Sequence, residues 1–342
     1  MNLEDVAERA GVSTATVSRV LNNIGVVRDA TRERVLKAVE ELKYYPNMHA
    51  RALAAGSNRT IGIIVSNLEN PFFLDVFRSL EAEANRSGYE VLVANTDYQV
   101  DRLKANVRLM IGRRLGGLAL VVSEMDEALL EELAERKVPT VVYDVGTPRE
   151  SIISITVNYR TAVQQIAEYL FGLGHRRFAF IGHHTTLGPL NDRRQTFVDV
   201  MENFAPQVEF RTVADLDGLL GGRNAVLQLY RSGFRPTAIV CVNDFMALGV
   251  LRQLRDLGLR VPDDVSVTGF DGLDLAEVVS PALTTARIPR DLIGHRIFES
   301  FTADAARLAE IRETVIRPEL MVRESSGPAS VSAEVHSPLS LA

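Results

Sequence analysis

Several residue types are scarce in this chain of 342 residues, which has no tryptophan and a single cysteine, Cys241. One cysteine excludes a disulfide within the chain and a cage of cysteine ligands around a metal. Because Cys241 lies in the apolar run AIVCVND, we expect it to be a small buried hydrophobic residue. Long apolar runs are also missing, since no stretch approaches the roughly 20 residues of a membrane-spanning helix.

The first ten residues, MNLEDVAERA, carry acidic side chains where a secretory signal would need a basic and then an apolar region. We therefore expect a cytoplasmic protein with no membrane partner. With 46% hydrophobic residues the chain can bury a large core, and its length is typical of two or three domains.

Charge is distributed unevenly along the chain, whose formal net charge is −6. Residues 1–60 hold nine Lys or Arg and seven Asp or Glu, a balance of +2, which leaves −8 for the remainder. A mildly basic head on an acidic body is typical of a nucleic-acid-binding module joined to a part that does not bind nucleic acid.

Two short helices are predicted at the N-terminus. Apolar side chains recur at helical spacing over residues 3–10, and Gly11 ends this helix. Ser13 is a good N-cap for a second helix, in which Val17 and Val20 share an apolar face. The pair forms a helix-turn-helix, whose second helix can lie in a major groove of DNA.

The exposed face of the second helix carries short side chains at Thr14, Ala15, Thr16 and Ser18, followed by Arg19. Short side chains allow close approach to a duplex, and an arginine can contact guanine through two hydrogen bonds. The alternative is a surface helix whose hydroxyls only cap and solvate it. The third predicted helix, DATRERVLKAVEELKY, favours the DNA-binding interpretation because it can close a small three-helix core.

Beyond residue 60, short apolar runs alternate with amphipathic segments, which indicates βαβ units and parallel sheets. The runs form two groups with a break near residues 152–160, so we predict an α/β body of two doubly wound parallel-sheet lobes. The C-terminal strands TTARIP and VIRPEL are expected to cross back between the lobes.

Polar residues end several of these predicted strands, at the edge where open α/β sheets bind ligands. With Phe72 and Phe73 nearby, they would suit a polyhydroxylated ligand, whose hydroxyls bond to polar groups and whose apolar face packs on aromatic rings. The strand-end residues are Asn67, Asp97, Ser123, Asp144, His183, Asp215, Asp244 and Asp271.

Several motifs resemble the lactose-repressor (LacI/GalR) family of bacterial transcription regulators over about residues 2–326. They are LEDVAERAGVSTATVSRVLN, TRERVLKAVEELKYYPNMHARALAAG, TIGIIVSNLENPFF, LGHRRFAFIG and VPDDVSVTGFD. The resemblance implies a helix-turn-helix over residues 1–46, a hinge helix and linker over 47–59, and a two-lobed effector-binding and dimerisation domain over 60–326. We expect residues 327–342, which are rich in small and polar side chains, to be disordered.

The resemblance also implies roles in contacting DNA. Thr14, Ala15 and Arg19 stand at base-reading positions, with Thr16 beside them, and Asn22 and Thr31 stand where the family contacts phosphates. Ala50 lies in the hinge helix, and Leu53 matches the leucine that wedges between base pairs. Packing between domains is the alternative for Leu53. The sequence departs from the family where Arg28 replaces a capping serine, and we expect Asp29 to cap the third helix instead.

In the body, the resemblance assigns effector binding to Arg193, Asn243 and Asp271, with Phe72 and Phe73 after the NP pair that opens the first helix. Asp97 joins them as a strand-end carboxylate. The family commonly has glycine where Thr196 stands. Alternatives remain for three positions: a surface arginine at Arg193, a turn cap at Asp271 and a core residue at Phe73.

Enzyme interpretations find little support, because GLGHRR departs from the dinucleotide-binding fingerprint and no nucleophile elbow is present. We expect no cofactor and no metal. The predicted function is a sequence-specific repressor that binds operator DNA as a homodimer and responds to a small-molecule effector, a sugar or related metabolite such as a nucleobase. A solute-binding protein without DNA regulation is the alternative from another class.

Overall fold

A computed structural model describes residues 2–21, 25–44, 58–145, 148–185 and 188–330. The chain divides into two compact units, Met1–Arg59 and Thr60–Ala342. Three predicted DNA-contact residues, Asn22, Ala50 and Leu53, lie outside the described residues, as do most of the predicted hinge segment and tail.

The first unit contains helices α1 (Leu3–Ala10), α2 (Thr14–Leu21) and α3 (Asp29–Glu41). Asn2 and Asp5 form a capping box at the start of α1, and Gly11 ends it in the left-handed conformation with φ 64°. Ser13 Oγ accepts a hydrogen bond from the Thr16 backbone N–H at 3.2 Å, as expected of an N-cap. Buried residues from all three helices form the core: Val6, Ala7, Ala10, Val17, Val20, Val35 and Ala38.

The start of α3 differs from the expectation. Arg28 occupies the N-cap position without a side-chain capping hydrogen bond among the described residues, and Asp29 is the first residue of the helix. The expectation that Asp29 caps α3 is therefore wrong. Its carboxylate lies one residue too late to accept a capping hydrogen bond, although it still carries negative charge near the positive end of the helix dipole.

The second unit is built from two six-stranded sheets. The first lobe has the order β2-β1-β3-β4-β5-β11, with every neighbouring pair parallel. Its strands are β1 (Thr60–Val65), β2 (Glu90–Asn95), β3 (Gly117–Val121), β4 (Thr140–Tyr143), β5 (Ile152–Val157) and β11 (Glu313–Ile316). The helices between them are α4 (Pro71–Arg86), α5 (Val100–Gly112) and α6 (Glu127–Glu135).

The second lobe has the order β7-β6-β8-β9-β10-β12, in which β12 alone is antiparallel to its neighbour. Its strands are β6 (Arg177–His183), β7 (Glu209–Asp215), β8 (Ala238–Cys241), β9 (Ser266–Asp271), β10 (Thr284–Arg287) and β12 (Glu319–Met321). Its helices are α7 (Tyr159–Gly172), α8 (Gly188–Phe204), α9 (Leu219–Arg231), α10 (Asp244–Asp256) and α11 (Asp274–Val278). These two lobes confirm the predicted fold class, and the antiparallel β12 is the departure from it.

The chain passes between the lobes after β5, after β10 and after β11. The second passage leads into α12 (Arg290–Thr302), which packs against α4, and α13 (Ala305–Ile311) then leads into β11. All three strands lie at or next to the same edge of their sheets. The connected edge can therefore act as a hinge, whereas the edge formed by β1 and β2 faces that formed by β6 and β7 without a chain connection.

Close packing of α9 against α10 depends on glycine. A Cβ atom on Gly222 would lie 2.1 Å from the carbonyl oxygen of Met246, and one on Gly249 would lie 2.1 Å from that of Leu219. Because these neighbours are backbone atoms held in helices, they cannot move aside as a flexible side chain can.

We predict that Gly222→Ala lowers the free energy of unfolding by about 1–3 kcal/mol, the usual cost of overpacking. Gly172→Ala is the matched control, because a Cβ at the end of α7 meets nothing within 4 Å. Urea unfolding of the two variants checks this. Equal stability of the two would mean that α9 and α10 are not packed as closely as described.

Candidate functional site

In the first unit, α2 presents an exposed face opposite the core. Burial of Val17 and Val20 leaves Thr14, Ala15 and Arg19 exposed. Thr16 is half-buried and its Oγ1 lies 3.0 Å from Ser13 Oγ. Thr31 is half-buried in the first turn of α3. The exposed part of α2 is thus a surface of small side chains followed by one long cation, which is suited to a major groove.

In the second unit, a cavity lies where the strand ends of the two lobes meet. Its volume is about 20 Å³, which holds little more than one water molecule, whereas ligand sites commonly measure roughly 300–1,000 Å³. The lobes must therefore separate before a small molecule can enter. The lining residues are Asn70, Phe72, Phe73, Tyr98, Val122, Ser123, Tyr143, Tyr159, Pro189, Leu190, Arg193, Asn243 and Asp271.

Arg193 is the cation of this cavity, and only 5% of its surface is exposed. Its Nη1 donates hydrogen bonds to the Val242 carbonyl at 2.6 Å and to Asp271 Oδ1 at 3.3 Å. The guanidinium also lies 4.3 Å from the ring centres of Tyr159 and Phe270. Its buried Nε has no hydrogen-bond partner within the part of the chain that the structure describes. That N–H is a donor suited to a ligand oxygen or nitrogen.

Asp271 ends β9 with φ 108°, a conformation that aspartate tolerates better than most residues. Burial raises the pKa of Asp271 to about 8, which Arg193 opposes and which the carboxylates of Asp244 and Asp217 reinforce. Near neutral pH this carboxyl therefore binds a proton more readily than an exposed aspartate does, and in that form it can donate as well as accept a hydrogen bond.

Asp244 supports the cavity from below, where it is fully buried. Its carboxylate accepts hydrogen bonds from the Leu273 backbone N–H at 2.7 Å and from Thr285 Oγ1 at 2.6 Å. Burial raises the pKa of Asp244 to about 7, against the lowering effect of those hydrogen bonds. The hydrogen bond from Leu273 to Asp244 fixes the loop that follows Asp271.

Aromatic side chains form the wall of the cavity. The ring centres of Phe72 and Phe73 are 5.4 Å apart at near right angles, and Tyr143 lies 5.8 Å from Phe72. Both phenylalanines are buried in the large core as well as lining the cavity, so the two roles considered for Phe73 coincide. The Tyr143 and Tyr159 hydroxyls lie 3.2 Å apart, and Tyr159 donates to Asp144, whose pKa burial raises to about 7.

Asn243 joins the cavity to its surroundings through both ends of its amide. Its Oδ1 caps α10 by accepting from the Met246 N–H at 2.8 Å, and its Nδ2 donates to Asp217 Oδ1 at 2.8 Å. No sequence pattern singled out Asp217, Tyr98, Tyr143 or Tyr159. Two of them had only a weak signal in the sequence: Tyr98 directly follows Asp97, and Asp217 lies two residues beyond the strand-end residue Asp215.

The predicted ligand residue Asp97 lies outside the lining of the cavity as described. It is exposed, adopts φ 51°, and accepts hydrogen bonds from Asn95 and Arg102. Its neighbour Tyr98 takes the position in the lining. Of the other strand-end residues, Ser123 and Asp271 reach the lining, and the ring centre of His183 lies 4.5 Å from that of Tyr98.

The residues that the structure describes contain no cluster of three or more His, Cys, Asp or Glu side chains that could hold a metal ion. None of their helices combines the length and apolar character needed to cross a membrane.

Comparison with protein families gives two matches in this chain. Residues 2–47 match the bacterial regulatory proteins of the lacI family, and residues 167–326 match a periplasmic binding protein-like domain. The chain is 34% identical over 328 residues to the HTH-type transcriptional repressor PurR of Vibrio vulnificus (strain CMCP6), a match that covers 94% of this chain and 98% of that protein.

Solved structures of transcriptional regulators are also similar to this chain. The lac repressor dimer bound to operator and the anti-inducer ONPF is similar with a TM-score of 0.79 and 28% identity, covering 96% of this chain and 99% of that one. A complex of the transcriptional regulator CelR with cellobiose has a TM-score of 0.64 and 27% identity, covering 95% of this chain and 100% of that one.

The cavity carboxyls predict a pH dependence of stability. A folded-state pKa raised above the unfolded value of 3.8 means that the folded state binds more protons between the two values, so stability falls as pH rises from about 4 to about 8. We expect Asp271→Asn to flatten this decline by up to about 1.4 kcal/mol per pH unit, the slope for one proton.

Urea unfolding between pH 5 and pH 9 measures the slope. Asp263→Asn, at a carboxylate with a 62% exposed side chain, is the control and should leave it unchanged. An Asp271→Asn slope equal to that of the wild-type protein would contradict the assignment.

Proposed function

Because the chain belongs to the lacI family of bacterial regulatory proteins, we propose that α2 reads the operator and that a sugar effector binds in the cavity between the lobes. Membership makes the protein a DNA-binding transcriptional repressor controlled by a small-molecule effector, as the sequence predicts. The alternative of a solute-binding protein without DNA regulation does not account for residues 2–47. The repressor acts where operator DNA lies, in the bacterial cytoplasm.

The proposed DNA contacts follow from exposure on α2. Thr14 and Ala15 approach base edges, Thr16 and Thr31 contact the backbone, and Arg19 forms two hydrogen bonds with a guanine. The single observation in support is the exposed row on α2 opposite buried Val17 and Val20. The family resemblance adds Asn22, Ala50 and Leu53, which lie outside the described residues.

A second copy of the chain completes the DNA-binding unit, because one recognition helix covers only a half-site. We place the dimer surface on the second lobe, where α9 packs against α10 and where α10 is hydrogen-bonded to the segment after α11. Five exposed apolar side chains in this region favour it: Leu216, Leu219, Leu220, Leu275 and Val278. The lac repressor bound to its operator, which is similar in structure, is a dimer.

We expect selection from a random DNA pool to enrich a two-fold symmetric site, with Arg19→Ala losing preference for one base pair in each half-site. The loss should amount to about 1–3 kcal/mol at that pair, the value of a bidentate arginine contact. Lys37→Ala on α3, a control that removes a charge from a 78% exposed side chain, should leave the selected sequence unchanged. An asymmetric site, or an unchanged preference with Arg19→Ala, would contradict the proposal.

The effector proposal rests on the pairing of polar and aromatic groups in one cavity. Arg193, Asn243 and Asp271 of the second lobe offer donors and acceptors opposite Phe72 and Phe73 of the first. Sugars combine hydroxyls around the ring with apolar C–H faces, so they fit such a cavity. The CelR–cellobiose complex supports the same class of ligand.

In this proposal the two lobes exchange between a closed state and an open state. An effector shifts an equilibrium only as far as its affinities for the two states differ. A cavity of about 20 Å³ means that entry and release require the open state. A coupling of a few kcal/mol then suffices to change operator occupancy substantially.

A calorimetric screen of monosaccharides, disaccharides and nucleobases tests the effector class. We expect a sugar to bind and Arg193→Gln to weaken it by about tenfold or more, since a charge-assisted hydrogen bond is lost. Arg194→Gln is the matched control, because Arg194 follows in the same helix and donates to Asn191 at 2.8 Å. Binding of a nucleobase in place of every sugar would overturn the sugar assignment and keep the cavity.

A further inference from the structure

One carboxylate connects the two lobes at the cavity. Asp217, in the second lobe between β7 and α9, accepts hydrogen bonds at Oδ2 from Asn67 Nδ2 (3.1 Å), Asn70 Nδ2 (3.2 Å) and the Tyr98 hydroxyl (2.8 Å). These three donors belong to the first lobe. Its Oδ1 accepts from Asn243 Nδ2 of its own lobe at 2.8 Å. Opening the lobes must break three hydrogen bonds to a single charged oxygen.

The donors are held in place by their own loops. Asn67 Oδ1 accepts from the Glu69 N–H at 2.9 Å, and Asn70 Oδ1 accepts from the Phe72 N–H at 3.1 Å, so each amide NH₂ faces Asp217. Burial and the neighbouring Asp217 raise the pKa of Tyr98 well above its usual value, so its hydroxyl keeps its proton. The site for the Asp217 carboxylate is therefore organised in advance.

The contacts of Asp217 lie far from the connections between the lobes. Asn67 and Asn70 follow β1, Tyr98 follows β2, and Asp217 follows β7. In both sheets these strands lie at the edge away from β5, β10 and β11, where the chain crosses between lobes. A rotation about the connected edge moves the opposite edge furthest. The Asp217 contacts are therefore among the first to break when the lobes open.

We propose that Asp217 is a latch that holds the lobes closed in the absence of effector and sets the cost of opening the cavity. Asn70, Tyr98 and Asn243 line the cavity yet direct their donors to Asp217, so the latch also determines which polar groups an effector finds available. This second consequence rests on the proposed function, because it takes the cavity as the effector site.

The distance between the lobes can be measured without effector or DNA. The single native cysteine, Cys241, is buried, so spin labels can be directed to Glu90→Cys at the start of β2 and Gln207→Cys just before β7, both exposed. Pulsed electron–electron double resonance on the full chain then measures the distribution of distances between the two labels, which gives the open and closed populations. Far-ultraviolet circular dichroism and the thermal midpoint check that each variant is folded.

We expect Asp217→Asn to raise the open-to-closed ratio by roughly tenfold or more, because charge-assisted hydrogen bonds are lost and an amide NH₂ then faces other donors. Asp215→Asn, at the end of β7 two residues before Asp217, is the matched control. Its carboxylate accepts from the Leu216 N–H at 2.8 Å, and we expect the wild-type distribution.

Tyr98→Phe provides a second variant that removes one donor and keeps the ring against His183. It should shift the distribution in the same direction by a smaller amount, and combined with Asp217→Asn it should add little. The latch is overturned if Asp217→Asn and Tyr98→Phe both leave the wild-type distribution unchanged, or if the wild-type protein is already mostly open. Because no effector is used, this outcome is separate from the failure of the sugar assignment.

Discussion

The way the chain joins the two lobes constrains everything that the cavity can do. Three crossings at one edge leave the opposite edge without a covalent tie, so non-covalent contacts alone keep it closed. Arg290 strengthens the connected edge, because its guanidinium bonds to Asp75 of the first lobe at 2.8 Å and to the Gly272 carbonyl of the second at 2.6 Å. The free edge has the hydrogen bonds to Asp217 and the ring contact between Tyr98 and His183. Hinge and latch thus lie on opposite sides of the ligand-lining residues.

Electrostatics in the cleft follow from burying several carboxyls together. A buried charge is costly unless partners offset its desolvation, and Arg193 acts on Asp271 and Asp144, whereas the cations near Asp244 are Arg290 and Arg323. Part of that cost is avoided by protonation, which is why burial raises the pKa of each of these carboxyls to about 7 or 8. Asp217, which is only partly buried, accepts hydrogen bonds from four neutral donors.

The elements and the fold class could be predicted from sequence because they depend on local periodicity. Apolar spacing, Ser13 and Gly11 define α1 and α2, and runs of β-branched residues define the strands. Polar strand ends indicated the cleft, since parallel strands bring their carboxyl ends together. That rule places loops near one another but does not orient their side chains. Asp97 and Tyr98 are neighbours in sequence and both adopt the left-handed backbone conformation, yet only Tyr98 lines the cavity, whereas the Asp97 carboxylate accepts a hydrogen bond from Arg102.

Asp217 could not have been found in this way, because its partners come from two loops of the other lobe, 119 to 150 residues earlier in the chain. Its energetic role follows from magnitudes. A hydrogen bond contributes about 0.5–1.5 kcal/mol net, and one to a charged group about 1.5–3 kcal/mol, so three across the free edge amount to at least a few kcal/mol. Coupling between an effector and a second ligand typically lies in the range of about 1–3 kcal/mol. A much stronger latch would keep the effector out, and a much weaker one would leave the lobes open without it. The contacts at Asp217 are strong enough for their loss or retention to change which state of the lobes predominates.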